Sequence, residues 1–314
     1  MKILVTGGAG FIGSHLVSSL LARGYDVAVI DCFHPYYSVE RKRKQFHALI
    51  GGHDVCVYET NLLEAEKVEQ IFQQYQPDVV YHLAALPGVP NSLMQPLEYV
   101  DYDIKATINV LKATGKAGVK HVLFASSSSV YGDVGEMPLK EEMAIGRVVS
   151  PYAAAKYGAE SFCYAYAHLF GYQLTIFRYF TVYGPWGRPD MAISQFIRRL
   201  LRKEAITVYG TNTARDYTYV DDIVNGMISA LQRNGSNDVF NLGAGRPITM
   251  EKLLERLQIH FPGMKVHYAS ERAGDVQATW ADITKAQQAF GYKPTVTFEE
   301  GLERTIEWAK RHEK

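Results

Sequence analysis

The segment Thr6-Gly7-Gly8-Ala9-Gly10-Phe11-Ile12-Gly13 constrains this chain more than any other. Short apolar residues from Ile3 lead into it, and a helical pattern over Gly13–Arg23 leaves it. A strand must turn into a helix within a few residues. Gly7, Gly10 and Gly13 suit that task, which needs a tight bend, a backbone open to a ligand, and a helix packed close on a strand. Amides at the helix start, with the positive end of its dipole, suit a pyrophosphate. The spacing is GxxGxxG, and the strand-turn-helix context rather than the glycines alone points to a dinucleotide. Asp31 closes the next apolar run, where a carboxylate binds both ribose hydroxyls and repels a 2′-phosphate, favouring NAD over NADP. The basic run Arg41-Lys42-Arg43-Lys44 reads as a solvated helix face.

The first half of the chain alternates two periods. Ile3–Thr6, Asp26–Ile30, Val55–Tyr58, Val79–Leu83, Val122–Ser126 and Leu174–Tyr179 read as strands. Gly13–Arg23, Leu63–Tyr75, Leu97–Gly115 and Pro151–Phe170 read as helices between them. Such alternation predicts an α/β fold, a Rossmann-type doubly wound parallel sheet with helices on both faces. Right-handed crossovers put the strands' carboxyl ends on one edge, where ligands bind. After residue 180 a Gly/Pro-rich stretch and scattered short elements predict a smaller C-terminal α/β substrate-binding lobe. The expected division is 1–180, with 217–242 returning to the main sheet, and 181–314.

Composition narrows the partners. With 33 basic and 33 acidic residues the formal net charge is zero, so no global field draws the chain to nucleic acid or a membrane. No apolar run approaches the ~18 residues of a membrane span. Cys32, Cys56 and Cys163 are odd in number and widely spaced, which fits neither a metal site nor a disulfide set and suggests a reducing compartment. The glycine turn follows Met1 too closely for a signal peptide. A cytoplasmic protein without a metal is the expectation.

Ser126-Ser127-Ser128-Ser129 ends a predicted strand, and Tyr152 and Lys156 follow at i and i+4, on one helix face. A phenol titrating near ~10 is a poor base at neutral pH. An ammonium on the same face, beside a positive nicotinamide ring, favours the phenolate. An isolated Tyr–Lys pair is ordinarily a surface contact. Here it follows a glycine-turn domain and a serine cluster at a strand's carboxyl end, and that setting makes it a reacting pair.

With these residues the chain resembles the extended short-chain dehydrogenase/reductase superfamily, and within it the nucleotide-sugar epimerases. The likeness runs nearly end to end, through the glycine turn, Asp31, His82-Leu83-Ala84-Ala85, Ser126–Gly132, Tyr152-x-x-x-Lys156, Arg178-Tyr179-Phe180, Arg215-Asp216-Tyr217, Asn241-Leu242-Gly243 and Arg272-x-Gly274-Asp275. The resemblance implies that Ser127 positions the substrate and relays its proton, that Tyr152 is the base, and that Lys156 binds the nicotinamide ribose. It implies NAD contacts from Gly7, Gly10, Phe11, Ile12, Gly13, Asp31, Asn61, Leu62, Leu83, Ala84, Ala85 and Tyr179. It also implies pyrophosphate contacts from Arg215 and Arg272, a ribose contact from Asp275, and Thr207 and Tyr209 beside a uracil. Family members commonly carry Asp where Asn61 stands and Asn where Asp103 stands. Asp103 puts a charge near the cofactor cleft that the sequence does not explain. Pro87 and Pro90 also depart from relatives, on the substrate side.

Elimination or decarboxylation on this scaffold usually employs carboxylates beside the catalytic hydroxyl, to protonate a leaving group and remove a proton. Here those places hold Ser128 and Ser129. That favours plain redox epimerisation, in which hydride would leave carbon 4 as Tyr152 takes the hydroxyl proton, the 4-keto sugar would turn, and hydride would return to its other face, so that NAD is retained. The stretch Phe180–Ala192 is similar to that of UDP-glucuronate 4-epimerases. Ser128, Ser129, Thr181 and Arg188 are therefore expected around a carboxylate at carbon 6, with a loop ion pair the competing role for Arg188. The alternatives are a decarboxylase or dehydratase on the same scaffold, an epimerase of neutral UDP-hexoses, and a non-catalytic NAD-binding regulatory protein. The aromatic-rich helix Tyr157–Phe170 is apolar on more than one face and is expected to be buried on several sides. The resemblance implies a homodimer built on it and on Leu97–Gly115.

Overall fold

A computed structural model of the protein describes residues 1–233, 235–270, 274 and 276–313. Six strands of the first half are β1 (Lys2–Thr6), β2 (Asp26–Ile30), β3 (Cys56–Tyr58), β4 (Val79–His82), β5 (His121–Ser127) and β6 (Gln173–Tyr179). Next come β7 (Thr181–Tyr183), β8 (Ile206–Tyr209), β9 (Ala214–Tyr219), β10 (Asp238–Leu242), β11 (Pro247–Thr249) and β12 (Val266–Ala269). The main sheet has seven strands in the order β10-β6-β5-β4-β1-β2-β3, all parallel. Strand order reverses at β1, so a crevice opens between the carboxyl ends of β1 and β4, the place where such sheets bind ligands.

The helices of the first half are α1 (Phe11–Ala22), α2 (Val39–Ile50), α3 (Ala65–Tyr75), α4 (Val89–Met94), α5 (Pro96–Tyr99), α6 (Ala106–Lys116) and α7 (Pro151–Phe170). The second half adds α8 (Ala192–Leu201), α9 (Val220–Ser229), α10 (Met250–His260), α11 (Thr284–Phe290) and α12 (Phe298–His312). Strands β1 and β2 are buried after their first residue and β4 throughout, because helices cover both faces. One face packs Ile3, Val5, Val29 and Tyr81 under α1 and α9; the other packs Leu4, Ile30 and Val80 under α3 and α6. The chain returns to the main sheet at β10, which pairs with β6, Asp238 opposite Thr175.

The remaining elements form a second layer around Ile193, Phe196, Ile206, Leu253 and Leu302, with β11-β9-β7 and β12-β8 as small sheets. Asp216 fastens the crossing back from β10. Its buried carboxylate accepts the N–H groups of Ala244 (2.6 Å), Gly245 (2.9 Å) and Ala281 (3.0 Å).

Three expectations need correction. The helix expected over Leu97–Gly115 is α5 and α6 joined by a π-helical stretch, Val100–Lys105. The basic run is not one solvated face. Lys42 is buried and donates to the His34 carbonyl at 2.6 Å, while Arg41 pairs with Glu313 at 2.6 Å and lies over Trp186 and Trp308. Only Arg43 and Lys44 face solvent, since α2 lies against the cleft rather than outside it. Helix α7 buries Ala159, Cys163 and Ala167 but leaves Phe162, Tyr164, Leu169 and Phe170 exposed, so its aromatic face has no cover within one chain.

Candidate active site

The crevice at the switch point is a cavity of about 850 Å³ that runs from the glycine turn to Arg188 and Arg215. At its inner end the backbone itself sets the shape. Gly7 has φ +70°, and a Cβ there would lie 2.6 Å from the Ala84 nitrogen. A Cβ on Gly13 would lie 2.2 Å from the Gly7 carbonyl oxygen. Gly10 leads into α1 with extended backbone, leaving the helix amides at the cavity wall. Asp31 accepts from Ala9 N–H (3.0 Å) and Phe33 N–H (2.8 Å), which fixes its carboxylate beside the turn. Burial pushes its carboxyl up, against those two bonds and the nearby Lys42 charge. A cradle that side chains would fill, with a fixed carboxylate at its rim, fits the adenosine diphosphate half of NAD.

All the residues expected to touch NAD line this cavity, including Phe11, Ile12, Leu62, Leu83, Ala85 and Tyr179. Asn61 does so with its carbonyl already accepting Leu63 N–H (3.0 Å) and its amide donating to Tyr102 (3.3 Å). Behind the wall, His82 is sandwiched between Thr6 Oγ1 (2.6 Å) and Thr107 Oγ1 (2.9 Å). Burial, then the Lys156 charge, pushes this imidazole down to about 3, so it is neutral.

The residues expected to react, Ser127, Tyr152 and Lys156, come from α7 and the end of β5. Ser150 caps α7 by accepting Ala153 N–H at 3.2 Å, and Pro151 starts the helix, so Tyr152 and Lys156 occupy its first turns. Lys156 is buried, donates to the Ala125 carbonyl at 3.2 Å and stands 4.0 Å from Asp103 Oδ2. Ser127 ends β5; its Oγ accepts Ser129 N–H at 3.2 Å and lies 3.2 Å from Ser129 Oγ. A buried network beneath holds that strand end in place. Arg178 on β6 makes a two-pronged bond to Glu160 on α7 (3.0 and 2.7 Å), and Glu160 also accepts from Ser126.

Toward the outer end, Pro87, Ser128, Ser129, Thr181 and Arg188 line the same cavity. Arg188 lines the cavity and is gripped by Asp190 (3.1 and 2.6 Å), the loop ion pair that was its competing role. Burial raises the Asp190 carboxyl, but the guanidinium outweighs it and the net shift is downward. Tyr36 donates to Asp190 at 3.2 Å and lies under the Arg188 guanidinium. Arg215 lines the cavity and donates to the Gln277 carbonyl at 2.9 Å. Thr207 and Tyr209 lie on β8, outside the residues that line this cavity, and Arg272 and Asp275 lie outside the described residues.

Sequence reading missed Tyr36, Tyr37, Lys42 and Asp190 as cavity residues. The Tyr36-Tyr37 pair in a loop directly after Asp31 was an available signal; Asp190, two residues past Arg188, was another.

Comparison with known proteins adds to this geometry. Residues 3–243 match the NAD dependent epimerase/dehydratase family. The chain belongs to that family. A UDP-glucuronate 4-epimerase of Thermodesulfobacterium geofontis is 39% identical over 313 residues, covering 98% of this chain and 96% of the relative. Among solved structures, the UDP-glucuronic acid 4-epimerase of Bacillus cereus, in complex with UDP-glucuronic acid and NAD, is 34% identical. It covers 99% of each chain with a TM-score of 0.92. A UDP-glucose 4-epimerase of Thermotoga maritima with UDP-glucose is 35% identical over 100% of each chain, with a TM-score of 0.91. The extended short-chain dehydrogenase/reductase resemblance and the Rossmann-type α/β fold are thereby borne out. Among the described residues, no helix is long and apolar enough to cross a membrane.

Proposed function

We propose that this protein inverts carbon 4 of UDP-glucuronate to give UDP-galacturonate, through a 4-keto sugar and with NAD retained. One observation carries the choice of chemistry. The cavity that holds Tyr152 and Lys156 presents Ser127, Ser128 and Ser129 beside them, and faces Thr181 and Arg188 at its outer end. Hydroxyls serve poorly as the acid and base that elimination needs. Hydroxyls with one guanidinium suit a substrate carboxylate.

The glycine turn, Asp31, Asn61, the Leu83–Ala85 segment and Lys156 would hold NAD. When bound, NAD supplies the hydride acceptor at carbon 4 and the hydride donor on return. Tyr152 takes the proton of the 4-hydroxyl on oxidation and gives one back on reduction. Ser127 orients that hydroxyl and relays its proton. Lys156 binds the nicotinamide ribose and favours the phenolate by its charge. Arg215, with Arg272 and Asp275, holds the diphosphate and ribose, and Thr207 and Tyr209 lie by the base.

Ser128, Ser129, Thr181 and Arg188 cage the carbon 6 carboxylate. A 4-keto uronate is a β-keto acid and loses CO2 when the carboxylate bond aligns with the ketone π system. Holding the group out of that alignment protects the intermediate, so orientation decides the product.

The first 180 residues with 217–242 serve as the cofactor domain, and 181–314 as the nucleotide-sugar lobe. The exposed aromatic face of α7 supports pairing of two copies across α7 and the α5–α6 segment, in a cytoplasmic homodimer.

The decisive experiment incubates purified protein with UDP-glucuronate, UDP-glucose and UDP-N-acetylglucosamine without added NAD. The expected product is UDP-galacturonate alone. Release of CO2 or water, or turnover confined to the neutral sugars, would replace this reading with a lyase or a neutral-hexose epimerase.

A further inference from the structure

Asp103 is a buried carboxylate beside the reacting pair, and no step above uses it. It sits in the π-helical stretch Val100–Lys105, a wide turn of the kind that recurs at functional sites. Just before that stretch, Tyr99 donates to the carbonyls of Pro87 (2.8 Å) and Gly88 (3.0 Å) and meets Tyr152 edge-on at 6.0 Å. Asp103 Oδ1 accepts Leu86 N–H at 2.6 Å. Its Oδ2 is buried, has no hydrogen-bond partner among the described residues, and stands 4.0 Å from Lys156 Nζ. A desolvated carboxylate oxygen with an ammonium as its near neighbour interacts chiefly with that charge.

We propose that Asp103 is a positioning residue for the Tyr152–Lys156 pair: its carboxylate anchors Lys156, offsets the charge that Lys156 lends to Tyr152, and ties both to the substrate-side loop through Leu86. This rests on Tyr152 being the base.

The ionisable groups around Asp103 are few. Lys156 faces it from α7 and Tyr99 from α5, with Tyr152 packed edge-on against Tyr99, and the neutral His82 lies on β4 behind Thr107. On its own turn, Asp101 and Lys105 pair with each other at 3.7 Å in solvent. Burial pushes the Asp103 carboxyl up to about 6, with Lys156 and Leu86 N–H opposing. Asp103 is therefore mostly charged at neutral pH and takes up a proton just below it. Protonation removes the offset and leaves Lys156 acting alone on Tyr152, so the base keeps support as the pH falls.

Asp103→Asn keeps the acceptor for Leu86 and removes the charge. Its kcat/KM for UDP-glucuronate, followed from about pH 5 to about pH 9, should show an acid limb displaced downward by about one pH unit. Asp103→Leu should displace it likewise and raise KM several-fold, because Leu86 N–H loses its acceptor. A tyrosinate difference titration of the resting protein, against the Tyr152→Phe background, should show the same downward displacement without turnover. An acid limb and a tyrosinate titration that Asp103→Asn leaves in place, or moves upward, overturn the proposal. Full activity in Tyr152→Phe instead removes the base assignment itself, so the two failures read differently.

Discussion

The two ends of the cavity are built by different means. At the cofactor end the shape is set by backbone: Gly7 and Gly13 leave no room for a Cβ, and Asp31 is fixed by two main-chain N–H groups. At the sugar end the shape is set by side chains that reach between segments. Tyr99 holds the Pro87 and Gly88 carbonyls, Arg198 holds that of Pro189, and Tyr36 and Asp190 hold Arg188. A wall of backbone accepts almost no substitution, whereas a wall of bridging side chains can be changed one residue at a time. A family that shares one cofactor and varies its sugar needs that division.

The largest test of the contrast is Gly13→Ala. Its Cβ would meet the backbone of Gly7 and Gly8, which cannot give way as a side chain would. Overpacking of that kind costs about 3 kcal/mol. Denaturant midpoints should fall accordingly, and the purified variant should carry little NAD. A variant that keeps both its midpoint and its cofactor would show that the inner wall is softer than the geometry implies.

Arg188→Ala should come next, and should act only on the sugar end. Preference for UDP-glucuronate over UDP-glucose, read as the ratio of kcat/KM values, should drop by about 100-fold because a charged contact in the cleft is lost. Cofactor content should stay at the wild-type level. An unchanged ratio would remove Arg188 from the carboxylate cage.

His82 sharpens the comparison through pH. Its imidazole is held down at about 3 against a usual value near ~6.5. Between those values the unfolded chain binds a proton that the folded chain refuses, so stability falls as the pH drops from about 6.5 toward 3. His82→Gln should flatten the dependence of the denaturation midpoint over that window. An equally steep loss in the variant would assign acid sensitivity to other groups, His121 among them, which burial lowers to about 4. The smallest effect is expected from Tyr36→Phe, which removes one partly exposed bond to Asp190. KM for UDP-glucuronate should rise by about 3-fold, in line with a single hydrogen bond of ~0.7 kcal/mol.

The same contrast explains what the sequence could tell. The glycine turn, Asp31 and the i, i+4 pair Tyr152–Lys156 are local: each works through its neighbours in the chain, so spacing read with the strands and helices around it placed them in the cleft. The sheet was legible for the same reason, from continuous apolar runs and helical periodicity between them. Lys42 and Asp190 were not legible, because their roles depend on α2 and the loop after β7 folding onto one cavity. The π-helical stretch was hidden too, since nothing in the residues of Val100–Lys105 distinguishes a π turn from an α turn. Asp103 looked anomalous in the sequence and acquires a partner only when the π-helical stretch packs against α7.

The closing of the main sheet by β10 has a consequence for synthesis. A ribosome releases β6 well before β10, and the whole of β7, β8, β9 and α9 comes between. Until then the apolar residues Leu174, Ile176 and Phe177 border an open edge with unpaired amides, which invites pairing with other chains. A nascent chain that folds its cofactor layer before β10 emerges leaves the β6 edge of that layer unguarded. Slower translation across that interval should lengthen the exposure and lower the soluble yield.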